Sequence, residues 1–413
     1  MKTTTKEDTF TIASKLLDRN AARCPNKVAT YCREQQVNYG ELLENVNRFA
    51  NVLAKLGVKP TERVMIHLPD SPMFVYAFFA SIKHGAWPVP VNTTLEITDY
   101  EYLLRDSEER VLVTEKTSKG ARAKIDHLCY WLFADNDLEW NLAKAAKEAE
   151  AYPSGKEDIL FWVYSSASTG KPKPVPHRHI HTLHSADTYA LTILSIREDD
   201  ICFSVSKLFF TYGLGNGLSF PLRHGAPLVL LSTPPSPESV MEIIATFKPT
   251  IFFGVPTQYN SVLKKIGSSG TNSFSSVRVC VSADEALPPA IFNKWKETTG
   301  LEIADGIGSA EALHIFIPNL SLPWVSVIPH ANRREARKLG LLRKQKFRSR
   351  RRARVAAGAN ERVCEEWPTP TLFLTTNLGL SQTCPAIELG HPSLPKAIRA
   401  PRNTALQQVS AIP

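Results

Sequence analysis

Short apolar runs recur along this chain between segments of helical period, and that alternation limits the fold more than any other feature. Leu42, Val46, Phe49, Leu53 and Leu56 repeat at the spacing of one helix face, and Gly57 follows as a stop. A strand-like run occupies residues 64–68. Asp70 then caps a second helix, with Pro72 in its first turn and Gly85 past its end. Strand-like runs return at 110–114, 159–164, 228–231, 250–254 and 277–281, and the last three are each closed by Ser, Pro or Gly. Alternation of this kind predicts an α/β architecture with largely parallel sheets. The charged, alanine-rich stretch 116–155 reads as helix and loop.

The chain has 413 residues, enough for two or three domains with sizeable cores. Its net charge of +9 is unevenly spread. Residues 321–413 hold 16 Lys+Arg against 5 Glu and no Asp, a net of +11, which leaves −2 for the rest. The basicity therefore says nothing about partners of the first 320 residues. The tail carries Arg348-Ser349-Arg350-Arg351-Arg352 and no sustained period, so it reads as disordered or frameshifted. A nucleic-acid-binding role for the 333–354 run is the rival reading. It is disfavoured because the run lacks interleaved aromatics and any docking motif.

The seven cysteines are scattered without a C-x-x-C pair, which argues against zinc and against a secreted disulfide framework. Residues 1–17 hold charges instead of an apolar signal core, and no run approaches the roughly 18 apolar residues of a membrane span. A cytoplasmic protein with no membrane partner is expected.

The apolar run at 159–164 opens directly into Ser165-Ser166-Ala167-Ser168-Thr169-Gly170-Lys171-Pro172-Lys173. Small side chains let backbone N–H groups approach anionic oxygens, hydroxyls add donors, and lysines add charge. That is the chemistry of a polyphosphate cradle. It is not a Walker loop, because Ser165 and Pro172 stand where that pattern needs Gly and Ser or Thr. On residue types alone, the alternative is an ordinary surface turn.

The segment resembles the Y-S-S-G-S-T-G-x-P-K-G signature of the adenylate-forming enzymes, the acyl-CoA synthetase superfamily. A V-x-H-x-H continuation, matched by Val175, His177 and His179, makes it more similar to the benzoate–CoA ligases. Three further segments agree in order. Lys207-Leu208-Phe209-Phe210-Thr211-Tyr212-Gly213-Leu214-Gly215-Asn216 resembles K-L-F-F-A-Y-G-L-G-N. Ser282-Ala283-Asp284-Glu285-Ala286-Leu287-Pro288 resembles S-A-G-E-A-L-P. Asp305-Gly306-Ile307-Gly308-Ser309-Ala310-Glu311, with Leu313-His314-Ile315-Phe316, resembles D-G-I-G-S-T-E and L-H-I-F. Similarity covers about residues 10–320.

The resemblance implies ligation of an aromatic carboxylate, most simply benzoate, to coenzyme A with ATP and Mg2+, through an acyl-adenylate. Ser165, Ser166, Ser168, Thr169, Gly170 and Lys173 are then the ATP phosphate loop, with Thr169 and Lys173 catalytic. Ser282, Ala283, Asp284 and Glu285 flank adenine, and Asp305 and Gly306 lie near the purine. Glu311 takes the magnesium, since a hard cation bridging phosphates needs carboxylate oxygen. Thr211, Tyr212, His314 and Ile315 line the acyl pocket, with the His facing the carboxylate. The resemblance leaves a homodimer open.

The departures bear on activity. Ala167 and Pro174 replace loop glycines, and Pro174 also removes a backbone donor. Asp284 replaces a glycine, a position where Asp tolerates unusual backbone angles. Ala310 replaces a Thr whose hydroxyl contacts the α-phosphate. Asp305 is the last aspartate, so neither the family's ribose aspartate nor its hinge aspartate follows it. The expected organisation is a truncated AMP-binding large domain over 1–320, a basic tail over 321–413 and no C-terminal lid domain, with activity impaired. A non-catalytic ATP or aryl-acid binding remnant is the alternative.

Overall fold

A computed structural model describes residues 10–119, 121, 130–134, 136–165, 171–269 and 274–318. Ser166, Ala167, Ser168, Thr169 and Gly170 lie outside the described residues, as does the whole 321–413 tail with its basic run.

The first strands are β1 (Val28–Cys32), β2 (Gln35–Asn38), β3 (Arg63–His67), β4 (Trp87–Pro90), β5 (Val111–Thr114) and β6 (Tyr130–Phe133). Next come β7 (Ile159–Ser165), β8 (Lys173–Arg178), β9 (Cys202–Ser204) and β10 (Leu228–Val229). The chain continues through β11 (Ile251–Gly254), β12 (Val279–Ser282), β13 (Ile303–Gly308) and β14 (Ile315–Pro318).

One sheet runs β14-β13-β12-β11-β9-β10-β1-β2, parallel throughout except for its antiparallel outer pairs β13–β14 and β1–β2. A second sheet, β4-β3-β5-β6, is wholly parallel, and β7–β8 form an antiparallel hairpin. The expected α/β class with largely parallel sheets is what the chain adopts. The central strands β5, β11 and β12 are buried along their whole length, as expected for parallel strands inside a sheet.

The helix Tyr39–Lys55 follows the predicted period, burying Leu42, Val46, Phe49 and Leu53. Asn38 and Glu41 form a reciprocal capping box at its start, and Gly57 turns the chain at φ 71°. The helix Pro72–His84 ends at Gly85 as expected, at φ 86°. Its cap, however, is Ser71, whose Oγ accepts from the Phe74 N–H at 3.3 Å.

Asp70, expected to be the cap, is buried and turned the other way. Its Oδ1 accepts the Leu208 N–H at 3.0 Å, and Oδ2 pairs with Lys207 Nζ at 3.7 Å. Lys207 also donates to the Thr233 carbonyl at 2.7 Å. The end of β3 is thereby fastened to the segment following β9. The stretch 116–155 holds a strand that the sequence reading left out, since Tyr130–Phe133 pairs in parallel with β5. Beneath the large sheet, Phe252, Tyr259, Phe274 and Trp295 pack edge to face, with the Tyr259 and Trp295 ring centroids 4.7 Å apart.

Candidate functional site

The candidate residues gather where the parallel strands of the large sheet end. Ser282 closes β12 and lies in register with Asp305 on β13. Ser282 Oγ and Asp305 Oδ1 are buried without a geometrically sound hydrogen bond, and burial raises the Asp305 carboxyl above its usual range. Ala283 is buried, while Asp284 and Glu285 are exposed on the following turn. Asp284 sits at φ 72°, the left-handed conformation for which a glycine is the default and Asp a tolerated substitute. Gly306 has no room for a side chain, because a Cβ there would lie 2.5 Å from Ile315 Cγ2. The antiparallel return from β13 to β14 thus seats Ile315 directly on the Gly306 backbone.

His314, one residue before β14, is buried in an aromatic box. Its ring centroid lies 5.0 Å from Tyr189, 5.2 Å from Tyr212 and 4.5 Å from Phe220. Two helical segments with wide π-type turns, Ala186–Ile193 and Gly215–Ser219, deliver Tyr189 and Asn216 to it. Gly215 lets the ring approach, since a Cβ there would stand 2.6 Å from His314 Cδ2. Leu313 precedes it at φ 68°, backbone strain of the kind that accumulates at functional sites.

Burial pushes the His314 imidazole down to about 3, so the ring is neutral at physiological pH. Its Nε2 lies 2.6 Å from Asn216 Oδ1. With Asn216 presenting its oxygen, Nε2 carries the proton and Nδ1 is a bare acceptor. Among the described residues, His314 Nδ1 and Tyr189 Oη are buried without hydrogen-bond partners, and Asn216 Nδ2 makes no bond of good geometry although its side chain lies close to the Tyr212 hydroxyl. Poorly paired polar atoms around one box are a cost that a bound polar group would relieve. A carboxylate would require the proton on Nδ1, which a half-turn of the Asn216 amide supplies.

The β7–β8 hairpin meets the same region. His177 on β8 donates from Nε2 to the Ala310 carbonyl at 2.9 Å, tying the hairpin to the segment that carries Glu311. Burial lowers the His177 ring to about 4, with the Ala310 carbonyl and the nearby Glu311 charge opposing it. Glu311 is exposed and makes no ion pair among the described residues. Among those residues no cluster of three His, Cys, Asp or Glu stands together. Ser165 and Lys173 face each other across the hairpin base, with Ser165 Oγ 3.4 Å from the Lys173 carbonyl, and Lys173 is exposed.

Of the acyl-pocket residues expected from the sequence, Tyr212 and Ile315 share one buried cluster and His314 packs on Tyr212. Thr211 is half-buried at the start of the short helix Thr211–Leu214. The sequence reading passed over Tyr189 and Phe220, which no motif marks. It also passed over Asn216, whose place at the end of a quoted motif was the available signal.

The sequence profile of the AMP-binding enzyme family matches residues 17–338. The chain belongs to that family. The match runs past residue 320, where sequence analysis put the end of the large domain, and most of the tail lies outside it. A benzoate–CoA ligase of Thauera aromatica is 42% identical over 290 residues, covering 68% of this chain and 55% of that protein. A 4-hydroxybenzoate–CoA/benzoate–CoA ligase of Rhodopseudomonas palustris is 35% identical over 323 residues, covering 75% and 60% respectively. Among solved structures, a benzoate CoA ligase from Burkholderia xenovorans LB400 superposes with a TM-score of 0.70 at 36% identity, over 75% of this chain and 63% of that one. The anthranilate CoA ligase AuaEII, crystallised with anthranoyl-AMP, gives a TM-score of 0.71 at 36% identity, over 76% and 62%. The chain thus spans 55% to 60% of the length of the two curated relatives. The shared fold is that of the N-terminal part of this AMP-binding family.

Proposed function

We propose that this chain carries the adenylation site of an ATP-dependent aromatic acid–CoA ligase, with benzoate as its acid and with weakened catalysis. The observation that carries the reading is the box around His314. There His314 is buried against three aromatic rings with poorly paired polar atoms beside it, surroundings that suit a planar acid with one polar end.

In this reading the acid lies against Tyr212 and Ile315, and its carboxylate oxygen attacks the α-phosphorus of ATP. A P–O bond forms as the bond to pyrophosphate breaks. The products are acyl-adenylate and pyrophosphate. The CoA thiol then attacks the acyl carbon and AMP leaves. Glu311 would hold the Mg2+ that neutralises phosphate charge. Ser165 and Lys173, with the intervening loop positions, would orient the phosphates for in-line displacement.

His314 is neutral, so it positions and does not supply charge. Ala310 lacks the hydroxyl that the resemblance places on the α-phosphate. One lost transition-state donor of this sort costs about 2.7–4 kcal/mol. The buried free thiols Cys32, Cys202 and Cys280 support a reducing, cytoplasmic setting, and no described helix is long and apolar enough to cross a membrane.

Thermal unfolding with ligands tests the reading. Benzoate should raise the Tm and acetate should not, and Tyr212→Ala should remove the benzoate shift. An equal response to both acids would refute an aryl-acid site.

A further inference from the structure

Both stems of the phosphate hairpin are tied to one helix, Ile97–Ser107, that none of the site motifs contains. On the incoming stem, the Tyr164 hydroxyl donates to Asp106 Oδ2 at 2.8 Å. On the outgoing stem, the Tyr102 hydroxyl donates to the Pro172 carbonyl at 3.3 Å, one residue before Lys173. The Lys171 ammonium sits 4.9 Å from the centroid of the Tyr102 ring, within cation–π range. Tyr102 and Asp106 are four residues apart and so share one helix face. They grip the hairpin on either side of its loop.

Backbone support matters here because of what the outgoing stem lacks. Pro172 and Pro174 have no N–H, so between them they give the hairpin no ladder donor. The Pro172 carbonyl is a remaining handle on that stretch, and Tyr102 holds it. The exposed Lys171 would otherwise sample many rotamers, and the aromatic ring gives it one resting place.

Resting on the adenylation reading above, we propose that Tyr102 is a positioning residue for Lys173, the ATP-facing lysine at the start of β8. Its hydroxyl fixes the Pro172 carbonyl and its ring parks Lys171. Together they set where Lys173 emerges toward the phosphates. Tyr102 itself touches no reacting atom.

Two readouts test this on the full chain. The first needs no ligand and follows hydrogen exchange of the β8 amides in Tyr102→Leu and Tyr102→Phe. Exchange should speed up in Tyr102→Leu and less so in Tyr102→Phe, which keeps the ring. The second is the Kd for MgATP by calorimetry. It should rise about five-fold in Tyr102→Phe and about ten-fold or more in Tyr102→Leu, while the benzoate-induced Tm shift stays.

In a double-mutant cycle, Tyr102→Leu with Lys171→Ala should be less than additive. Unchanged β8 exchange in Tyr102→Leu would overturn the proposal, and so would faster exchange with an unchanged Kd. A wild-type chain that binds no MgATP would refute the adenylation reading and any ATP role for Tyr102. The exchange data would still show whether the helix holds the hairpin.

Discussion

His314 Nε2 and Asn216 Oδ1, 98 residues apart in the chain, lie 2.6 Å from each other inside a box of three aromatic rings. The pair joins the segment after β9 to the start of β14, and it fixes the tautomer of a ring that burial keeps neutral. Replacing Asn216 with Leu removes that control and leaves Nε2 unpaired. The acid KM should rise about ten-fold or more while the KM for ATP stays. Steady-state kinetics with each substrate varied in turn separate the two. Equal changes in both would point to a general loss of folding.

Ala310 offers a gain-of-function test. Its carbonyl is already engaged by His177, so its backbone position is set independently of the side chain. Ala310→Thr should speed acyl-adenylate formation by about 10²–10³, the effect of one transition-state donor. Single-turnover pyrophosphate release reads it. No acceleration would mean that residue 310 does not face the reacting phosphate.

Thr211 stands where the family motif that this segment resembles has Ala, adding a methyl and a hydroxyl beside Tyr212. The ratio of kcat/KM for 4-hydroxybenzoate to that for benzoate should fall in Thr211→Ala, by about ten-fold if the hydroxyl bonds the ring substituent. An unchanged ratio would place Thr211 outside the pocket.

From its most strongly shifted carboxyls and imidazoles, stability should peak near pH 7. Burial holds His67, His177 and His179 at about 4 and His314 at about 3, against an ordinary value near 6.5. As pH falls through that window the unfolded chain takes up protons that the folded chain refuses. Each ring then costs up to about 1.4 kcal/mol per pH unit. Two buried carboxyls act in the opposite sense. Desolvation raises Glu109 to about 8 and Asp70 to about 6, so each stabilises at low pH and loses that contribution as pH rises. Four imidazoles outweigh two carboxyls on the acid side, and of these six groups Glu109 dominates between 7 and 8. A Tm scan should show a steep acid limb and a shallow alkaline one, the latter removed by Glu109→Gln. A flat profile would contradict these assignments.

The strand runs were legible because each is short, apolar and punctuated, and the helix at 39–55 because its apolar face repeats cleanly. What failed was local. Asp70 looks like a cap because it precedes Ser71-Pro72, but the Leu208 N–H and the half-buried Lys207 of another segment outcompete the helix end for its carboxylate. The strand at 130–133 escaped notice because the charged, alanine-rich sequence around it masks four residues that are only half-buried. At the candidate site, Tyr212, His314 and Ile315, which the fold brings together, stood in recognisable segments, and their companions did not. Tyr189 lies on a wide-turn helix with no local signature, and only the fold brings it to His314. Tyr102 likewise reads as one position of an amphipathic helix until β8 is placed beside it.

Benzoate-dependent pyrophosphate release with Mg-ATP, measured beside Glu311→Gln, tests the central claim most directly. The expected result is slow release that requires benzoate, rises in Ala310→Thr and falls to the acid-free background in Glu311→Gln. Release that ignores benzoate or survives loss of Glu311 would contradict the account. So would no release from folded wild-type and Ala310→Thr chains alike.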